Sequence, residues 1–139
     1  MSGHILDASV VSLAGARAMI DAARGEAEAR GLRVSVAVVD RGGHLVAFDR
    51  MDGIHPGTVA VAVAKARTAL LYNRPTEGFA AGLSSGNAAL LSLPDVVAFP
   101  GGIPIPGALG ASGAIGVSGA TPDVDEAIAK AGANAIARG

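Results

Sequence analysis

The sequence predicts an α+β fold, in which an antiparallel sheet carries helices on its faces. Apolar residues recur at helical spacing near the start of the chain, after residue 56 and after residue 121. A β-hairpin pattern lies between the first two of these segments, and strand-like alternation precedes the third. The 139 residues have the length of one domain and contain no internal repeat or linker.

The composition predicts a core of small and medium side chains. Half of the residues are hydrophobic but only 3% are aromatic, and there are 20 glycines. Such a core packs by close approach of backbones rather than through large side chains. No run approaches the roughly 20 apolar residues of a membrane span. The excess of apolar surface therefore predicts a subunit interface, and hence a homo-oligomer.

Several classes of function are disfavoured by charge and composition. A net charge of −1 and the scarcity of aromatic residues predict no nucleic-acid partner. The absence of cysteine excludes disulfides, thiolate catalysis and iron–sulfur clusters. The first residues do not combine a basic region with an apolar one, so no signal peptide is evident and a cytoplasmic location is expected.

The first predicted helix begins at Asp7 or Ser9 as its N-cap and ends near Arg30, with Gly31 at the C′ position. A hairpin follows. Its first strand, residues 34–39, is apolar on both faces and must be covered on both sides. The glycine-containing segment 40–43 forms the turn, and residues 45–48 form the second strand. A short charged segment comes directly after the hairpin and contains Asp49, Arg50, Asp52 and His55.

The second predicted helix opens at residues 56–58 and ends near Tyr72. It is apolar nearly all round, which predicts burial between the sheet and a partner subunit. Residues 73–76 break this helix, and short helical segments follow. Residues 96–99 and the glycine-rich stretch 101–119 are predicted to supply three short strands. Thr121 and Pro122 are a strong start for the last helix.

Five motifs occur in order along the chain: VAVVDRGGHLVAFDRMDG, KARTAL, NRPT, GGIPI and GAIGVSG. This ordered set resembles the GlcG/HbpS family of small haem-binding or haem-degrading domains, to which the C-terminal domain of PduO-type proteins is related. The resemblance runs from about Val11 to Ala137 and identifies residues 1–139 as one such domain. It implies a five-stranded antiparallel sheet in a profilin-like α/β/α sandwich. It also implies oligomers, from dimers to octamers, and haem as a cofactor in several members.

His55 is the predicted ligand of haem iron, because haem iron favours an axial imidazole. The alternative is a solvent-facing loop histidine or an acid/base group in a pocket. The resemblance implies Thr58 as a second candidate, since a hydroxyl near this helix start lies close to the iron in some members. His44 flanks a tight turn and is expected to be exposed. Met51, with Ile54, Phe48 and Phe99, could form part of an apolar haem wall.

Lys65 is the next candidate, because a lysine on an almost wholly apolar helix is costly unless it is paired or faces a polar pocket. One interpretation is an ion pair with Asp40 or Asp52. The other is that Lys65 binds a carboxylate, either a haem propionate or a small organic acid. A partly desolvated lysine could also act as a base.

Arg50 and Asp52 admit two interpretations as well. They could pair with each other in the turn. Alternatively, Arg50 binds a carboxylate bidentately, while Asp52 orients His55 or takes a proton. Arg74, at the break after the second helix, has the same ambiguity. The pair Gly101-Gly102 could expose N–H groups to an anion or permit close strand packing.

The leading hypothesis is therefore an oligomeric haem-binding or haem-handling protein, with Lys65, Arg50 or Arg74 neutralising propionates. The alternative is a cofactor-independent lyase, isomerase or hydratase that acts on an organic acid. In that case Arg50 and Lys65 bind the carboxylate, and Asp52, His55 or Lys65 moves a proton. A third hypothesis is a structural or regulatory protein whose apolar surface builds an oligomer. The sequence does not decide whether the protein is an enzyme.

Overall fold

A computed structural model describes residues 3–136. The predicted domain limits at residues 1 and 139, and Ala137 at the end of the resemblance, lie outside the described residues. The helices are α1 (Leu13–Ala29), α2 (Gly57–Tyr72), α3 (Glu77–Ser84) and α4 (Pro122–Ala133), with a short 3-10 helix at Ala88–Ser92. The strands are β1 (Ser35–Asp40), β2 (Leu45–Arg50), β3 (Gly102–Gly107) and β4 (Gly110–Ser118).

The strands form one antiparallel sheet in the order β2-β1-β4-β3. The architecture is α+β, but the expectation of five strands is wrong, since residues 3–136 contain a sheet of four. In the register of the sheet, Ser35 pairs with Arg50 on one side and with Ser118 on the other. The end of β2, the start of β1 and the end of β4 therefore meet at one end of the sheet.

The missing fifth strand is residues 96–99, which are not in a strand. A side chain of α2 makes hydrogen bonds to the backbone of this segment instead. The buried Thr68 hydroxyl lies 2.8 Å from the carbonyl oxygen of Asp95, and it accepts a hydrogen bond of 3.0 Å from the N–H of Val97. The segment is thus bound to α2 rather than to a neighbouring strand.

Helices cover both faces of the sheet, as the two-sided apolar pattern of β1 predicts. Helices α1 and α4 pack on the face that carries Val36, Val38 and Ile115. Helix α2 packs on the other face, which carries Ala37 and Val39. The end of α1 follows the prediction, with Gly31 in the left-handed region just after the cap at Arg30.

The N-cap of α1 differs from the prediction. Ser12 caps the helix by accepting a hydrogen bond from the N–H of Gly15, rather than Asp7 or Ser9. The Ser9 hydroxyl instead accepts a hydrogen bond of 2.7 Å from the N–H of Ala108, in the turn between β3 and β4. The Ser9 side chain, which the local sequence pattern predicted as a helix cap, therefore makes a contact with a residue distant in sequence.

The contact between α2 and the sheet is made backbone to backbone. A Cβ atom at Gly116 of β4 would lie 2.1 Å from the carbonyl oxygen of Ala62. A Cβ atom at Gly102 of β3 would lie 2.3 Å from the carbonyl oxygen of Lys65. Neither oxygen can move away independently of the helix backbone, so any side chain at these two positions would force α2 off the sheet.

We expect Gly116→Ala to lower the free energy of unfolding by about 3 kcal/mol, because overpacking against backbone cannot be relieved by a rotamer change. Urea unfolding would measure the loss. Gly25→Ala is the matched control, since a Cβ at this exposed position of α1 meets nothing within 4 Å. It should raise stability by up to about 1 kcal/mol through helix propensity. Equal effects of the two substitutions would contradict this packing.

Candidate functional site

The predicted site residues fall into three places along the fold. Arg50, Met51, Asp52, His55 and Thr58 lie together between the end of β2 and the first turn of α2. The other two lie further along the chain, Lys65 within α2 and Arg74 after its end. The segment 51–58 turns sharply at Gly53, whose φ of +85° favours glycine.

Thr58 anchors this segment rather than facing solvent. Its side chain is buried, and its Oγ1 donates a hydrogen bond of 2.8 Å to the carbonyl oxygen of His55. The same Oγ1 lies 2.9 Å from Oγ of Ser35, at the start of β1. These two bonds attach the loop to both α2 and the sheet.

His55 is exposed, although its backbone is fixed. Its carbonyl oxygen accepts hydrogen bonds from both the hydroxyl and the N–H of Thr58. The Cα atoms of His55 and Asp52 can be no more than about 11 Å apart, because a chain spans at most 3.6 Å per residue. The imidazole is thus attached to a firm backbone close to the end of β2.

A groove of about 420 Å³ lies at the end of the hairpin, and we call it the hairpin groove. Its apolar lining is Phe48 and Met51, both partly buried. The Sδ atom of Met51 accepts a contact of 3.4 Å from the N–H of Val34, which holds this side chain against β1. The charged lining residues are Arg24, Glu28, Arg33, Asp49, Arg50 and Asp52.

The charges in the hairpin groove are unevenly paired. Arg24 donates to Oδ2 of Asp49 at 3.1 Å and lies 3.8 Å from Oε1 of Glu28. Arg33 and Arg50 make no ion pair and no side-chain hydrogen bond to any residue within 3–136. The predicted pairing of Arg50 with Asp52 is therefore not formed, and both guanidinium groups keep free N–H donors.

Arg33 is a groove residue that sequence reasoning missed. Its guanidinium lies over Gly53, where a Cβ atom would be 2.6 Å from Nη1 of Arg33. The antiparallel register was the signal that could have found it, because the N–H of Met51 bonds to the carbonyl oxygen of Val34. Continuing that pairing by one residue brings Arg33 opposite Asp52.

Lys65 lies in the protein interior, with 3% of its surface exposed. Its ammonium donates to the carbonyl oxygen of Val117 at 2.9 Å and to Oδ2 of Asp125 at 3.1 Å. Asp125 is equally buried, and its Oδ1 accepts from the N–H of Ala120 at 2.8 Å. The partner of Lys65 is therefore Asp125 on α4. The predicted partners Asp40 and Asp52 are wrong.

The buried pair has a consequence for the alternative enzyme hypothesis. That hypothesis needs Lys65 in one pocket with Arg50, Asp52 and His55. The structure places Arg50 and Asp52 on the hairpin groove and His55 three residues further along the loop, outside its lining, but leaves the Lys65 ammonium inside the fold, bonded to Asp125. The four side chains do not form a single pocket.

Arg74 is also separate from the hairpin groove. Its guanidinium carbon lies 4.3 Å from the centre of the Phe79 ring, a cation–π contact. The 16-residue helix α2 lies between His55 and Arg74 and spans about 24 Å at 1.5 Å per residue. Arg74 therefore cannot share a small-molecule site with His55 within one subunit.

The glycine pair at the start of β3 serves close packing. A Cβ atom at Gly101 would lie 2.7 Å from the carbonyl oxygen of Val117 and 2.9 Å from Nζ of Lys65. Of the two interpretations of Gly101-Gly102, the structure supports close packing. Within residues 3–136, no group of three or more His, Cys, Asp or Glu side chains could hold a metal ion. No helix in that range is long and apolar enough to cross a membrane.

Comparison with known proteins finds relatives along almost the whole chain. Residues 11–134 match the family model described as "haem degrading protein HbpS-like". Protein GlcG of Escherichia coli K12 is 39% identical over 87 residues, which are 63% of this chain. The match covers 65% of GlcG, slightly less than two thirds of that protein.

Solved structures agree with the fold. A double mutant of HbpS from Streptomyces reticuli is 34% identical and superposes with a TM-score of 0.89, over 99% of this chain and 94% of that chain. The structure of a PduOC:haem complex superposes with a TM-score of 0.82 over 91% of this chain and 95% of the other, at 24% identity. At that identity the likeness concerns the fold alone.

Removing the Lys65 ammonium should strongly destabilise the protein, because the Asp125 carboxylate would remain buried without its partner. We expect Lys65→Met to lower the free energy of unfolding by about 3–5 kcal/mol, measured by urea unfolding. Arg30→Met, which removes the exposed pair with Glu26, is the control and should cost under about 1 kcal/mol. If Lys65→Met leaves too little folded protein, Asp125→Asn tests the same pair. Losses no larger than that of the control would refute the buried pair.

Proposed function

We propose a haem-binding function for this chain, which belongs to the HbpS-like family. The site we assign is the hairpin groove together with the loop that carries His55. The observation that carries this assignment is a partly apolar groove with two unpaired guanidinium groups at the end of the hairpin, followed three residues after its lining by the exposed imidazole of His55. This set of side chains suits an amphiphilic, carboxylate-bearing cofactor.

His55 is the residue that we assign to the iron. Haem supplies a redox-active iron that commonly takes an axial imidazole from the protein. His55 is exposed and is held on a fixed backbone, so its ring can reach a ligand without rearrangement of the loop. The Thr58 hydroxyl already lies within hydrogen-bond distance of two oxygen atoms, so we assign it the role of anchoring His55.

Arg50 and Met51 provide the remaining contacts that we assign. Met51 and Phe48 form the apolar lining against which a porphyrin edge can pack. Arg50 has free donors to neutralise a propionate. Ile54 anchors the loop to the interior, because its side chain is buried beside Gly119 and Val34. Phe99 is exposed close to β3, which lies at the opposite edge of the sheet from β2. It does not line the hairpin groove, so we assign it no contact with the haem.

We further propose that the protein is a homo-oligomer that uses the outer face of α2. The exposed large apolar residues Val61 and Leu71 lie on this helix, and Leu93 is exposed beside it. A largely apolar groove of about 490 Å³ runs between α2 and residues 93–97. Covering this surface with a second copy would remove apolar area from water, as in other obligate interfaces.

Val61→Lys should weaken the oligomer, because it places a charge in the apolar contact. The expected result is a lower mass in size-exclusion chromatography with light scattering. Ala18→Lys, at an exposed position of α1, is the control and should leave the mass unchanged. A native protein that is monomeric at micromolar concentration would refute the oligomer. A Val61→Lys variant of unchanged mass would refute this face as its interface.

Haemin titration into the purified protein tests the proposed function. We expect a saturable Soret shift for the native chain and a loss or marked weakening of that shift for His55→Ala, because the iron loses its imidazole ligand. His44→Ala is the matched control, since His44 is exposed at the β1–β2 turn at the far end of the hairpin. It should titrate like the native protein.

The possible outcomes separate the ligand from the function. A shift that persists unchanged in His55→Ala would keep haem binding but remove His55 as the ligand. The absence of any saturable shift in the native protein would refute haem binding itself.

A further inference from the structure

We propose that Arg33 and Arg50 together form a carboxylate-binding site in the hairpin groove. The groups that it would recognise are the propionates of haem or the carboxylates of a free dicarboxylate. For haem, this inference rests on the proposed function, to which it adds Arg33 as a ligand residue. For a free dicarboxylate it stands independently.

The fold places these two side chains on the same groove, one from the end of β2 and the other from the segment that leads into β1. Arg50 is the last residue of β2 and pairs with Ser35 of β1. Arg33 lies two residues before Ser35, on the chain that leads into β1. Both line the hairpin groove, and the positive φ of Gly53 turns the chain beneath the Arg33 guanidinium. Any side chain at position 53 would occupy the space that the guanidinium uses.

The free donors of Arg33 and Arg50 distinguish them from the other groove arginine. Arg24 is bound by Asp49 and Glu28. Within the described part of the chain, Arg33 and Arg50 have no carboxylate or carbonyl partner. A guanidinium presents its N–H donors in a planar fork that matches the two oxygens of a carboxylate. Two such forks on one groove can each take a carboxylate.

The charges of the groove are unevenly distributed, although its three arginines and three carboxylates sum to zero. Two of the carboxylates, Asp49 and Glu28, face Arg24. Asp52 is the one remaining carboxylate of the lining beside the two unpaired guanidinium groups of Arg33 and Arg50. The partly buried Phe48 and Met51 line the same groove as the arginines and supply its apolar surface. A ligand with an apolar body and carboxylate ends matches both the apolar lining and the two arginines of the groove.

The experiment compares haemin with haemin dimethyl ester, in which both propionates are blocked. Each is titrated into the native protein, Arg33→Gln and Arg17→Gln, and the Soret band is followed. Glutarate is titrated into the same three proteins by calorimetry. Arg17 is exposed on α1 outside the groove and serves as the control for a lost surface charge. Glutamine keeps a polar side chain but removes the charged fork.

We expect the native protein and Arg17→Gln to bind haemin about tenfold more tightly than the ester, the size of one charge-assisted hydrogen bond. Arg33→Gln should show a clearly smaller preference for haemin over the ester, because only the guanidinium of Arg50 remains to bind a propionate. This result supports the site with propionates as its ligands. Saturable glutarate binding that Arg33→Gln removes also supports the site, and assigns it to free dicarboxylates when the ester discrimination is absent.

Other outcomes overturn the inference. Equal affinity for haemin and its ester, with no glutarate binding, removes the carboxylate site and leaves haem binding standing. Discrimination or glutarate binding that survives unchanged in Arg33→Gln removes Arg33 from the site. A native protein that binds neither haemin nor glutarate refutes the carboxylate site and the proposed function together.

Discussion

The backbone contact between α2 and the sheet is the constraint on which the rest of this structure depends. At Gly116 and Gly102 the strands come so close to the helix that no side chain fits between them. The composition suggested such packing, with many glycines and alanines and few aromatic residues. This close packing determines where α2 lies relative to the rest of the fold. Helix α2 lies directly on the strands, so its first turn meets the end of the hairpin and the Lys65 ammonium reaches α4.

The Lys65–Asp125 pair follows from that close contact. Because Gly101 leaves room at the start of β3, the ammonium passes beside the sheet to a carboxylate on its other side. Each charged atom of the pair has a hydrogen-bond partner, with Val117 and Ala120 as the additional partners, which is the condition under which buried charges are tolerated. Lys65, which the sequence offered as a candidate ligand-binding residue, thus joins α2 to α4 on the other face of the sheet.

The sequence was a good guide where structure depends on neighbours along the chain. The hairpin, the glycine after α1 and the Thr121-Pro122 start of α4 were all predicted from local pattern. Predictions failed where a distant side chain intervened. Residues 96–99 have strand-like composition, but the hydroxyl of Thr68 binds their backbone instead. Ser9 was predicted to cap a helix, but it bonds to Ala108 across the fold.

The same distinction separates the parts of the candidate site. Arg50, Asp52 and His55 could be grouped in advance because they occupy six consecutive positions of the chain. Arg33 could not, since 18 residues separate it from Asp52 along the chain before the register of the hairpin brings the two positions opposite each other. The glycine at position 53 then gives the Arg33 guanidinium its place. The position of Arg33 on the groove therefore comes from the hairpin register and from one residue without a side chain, neither of which a search for charged motifs detects.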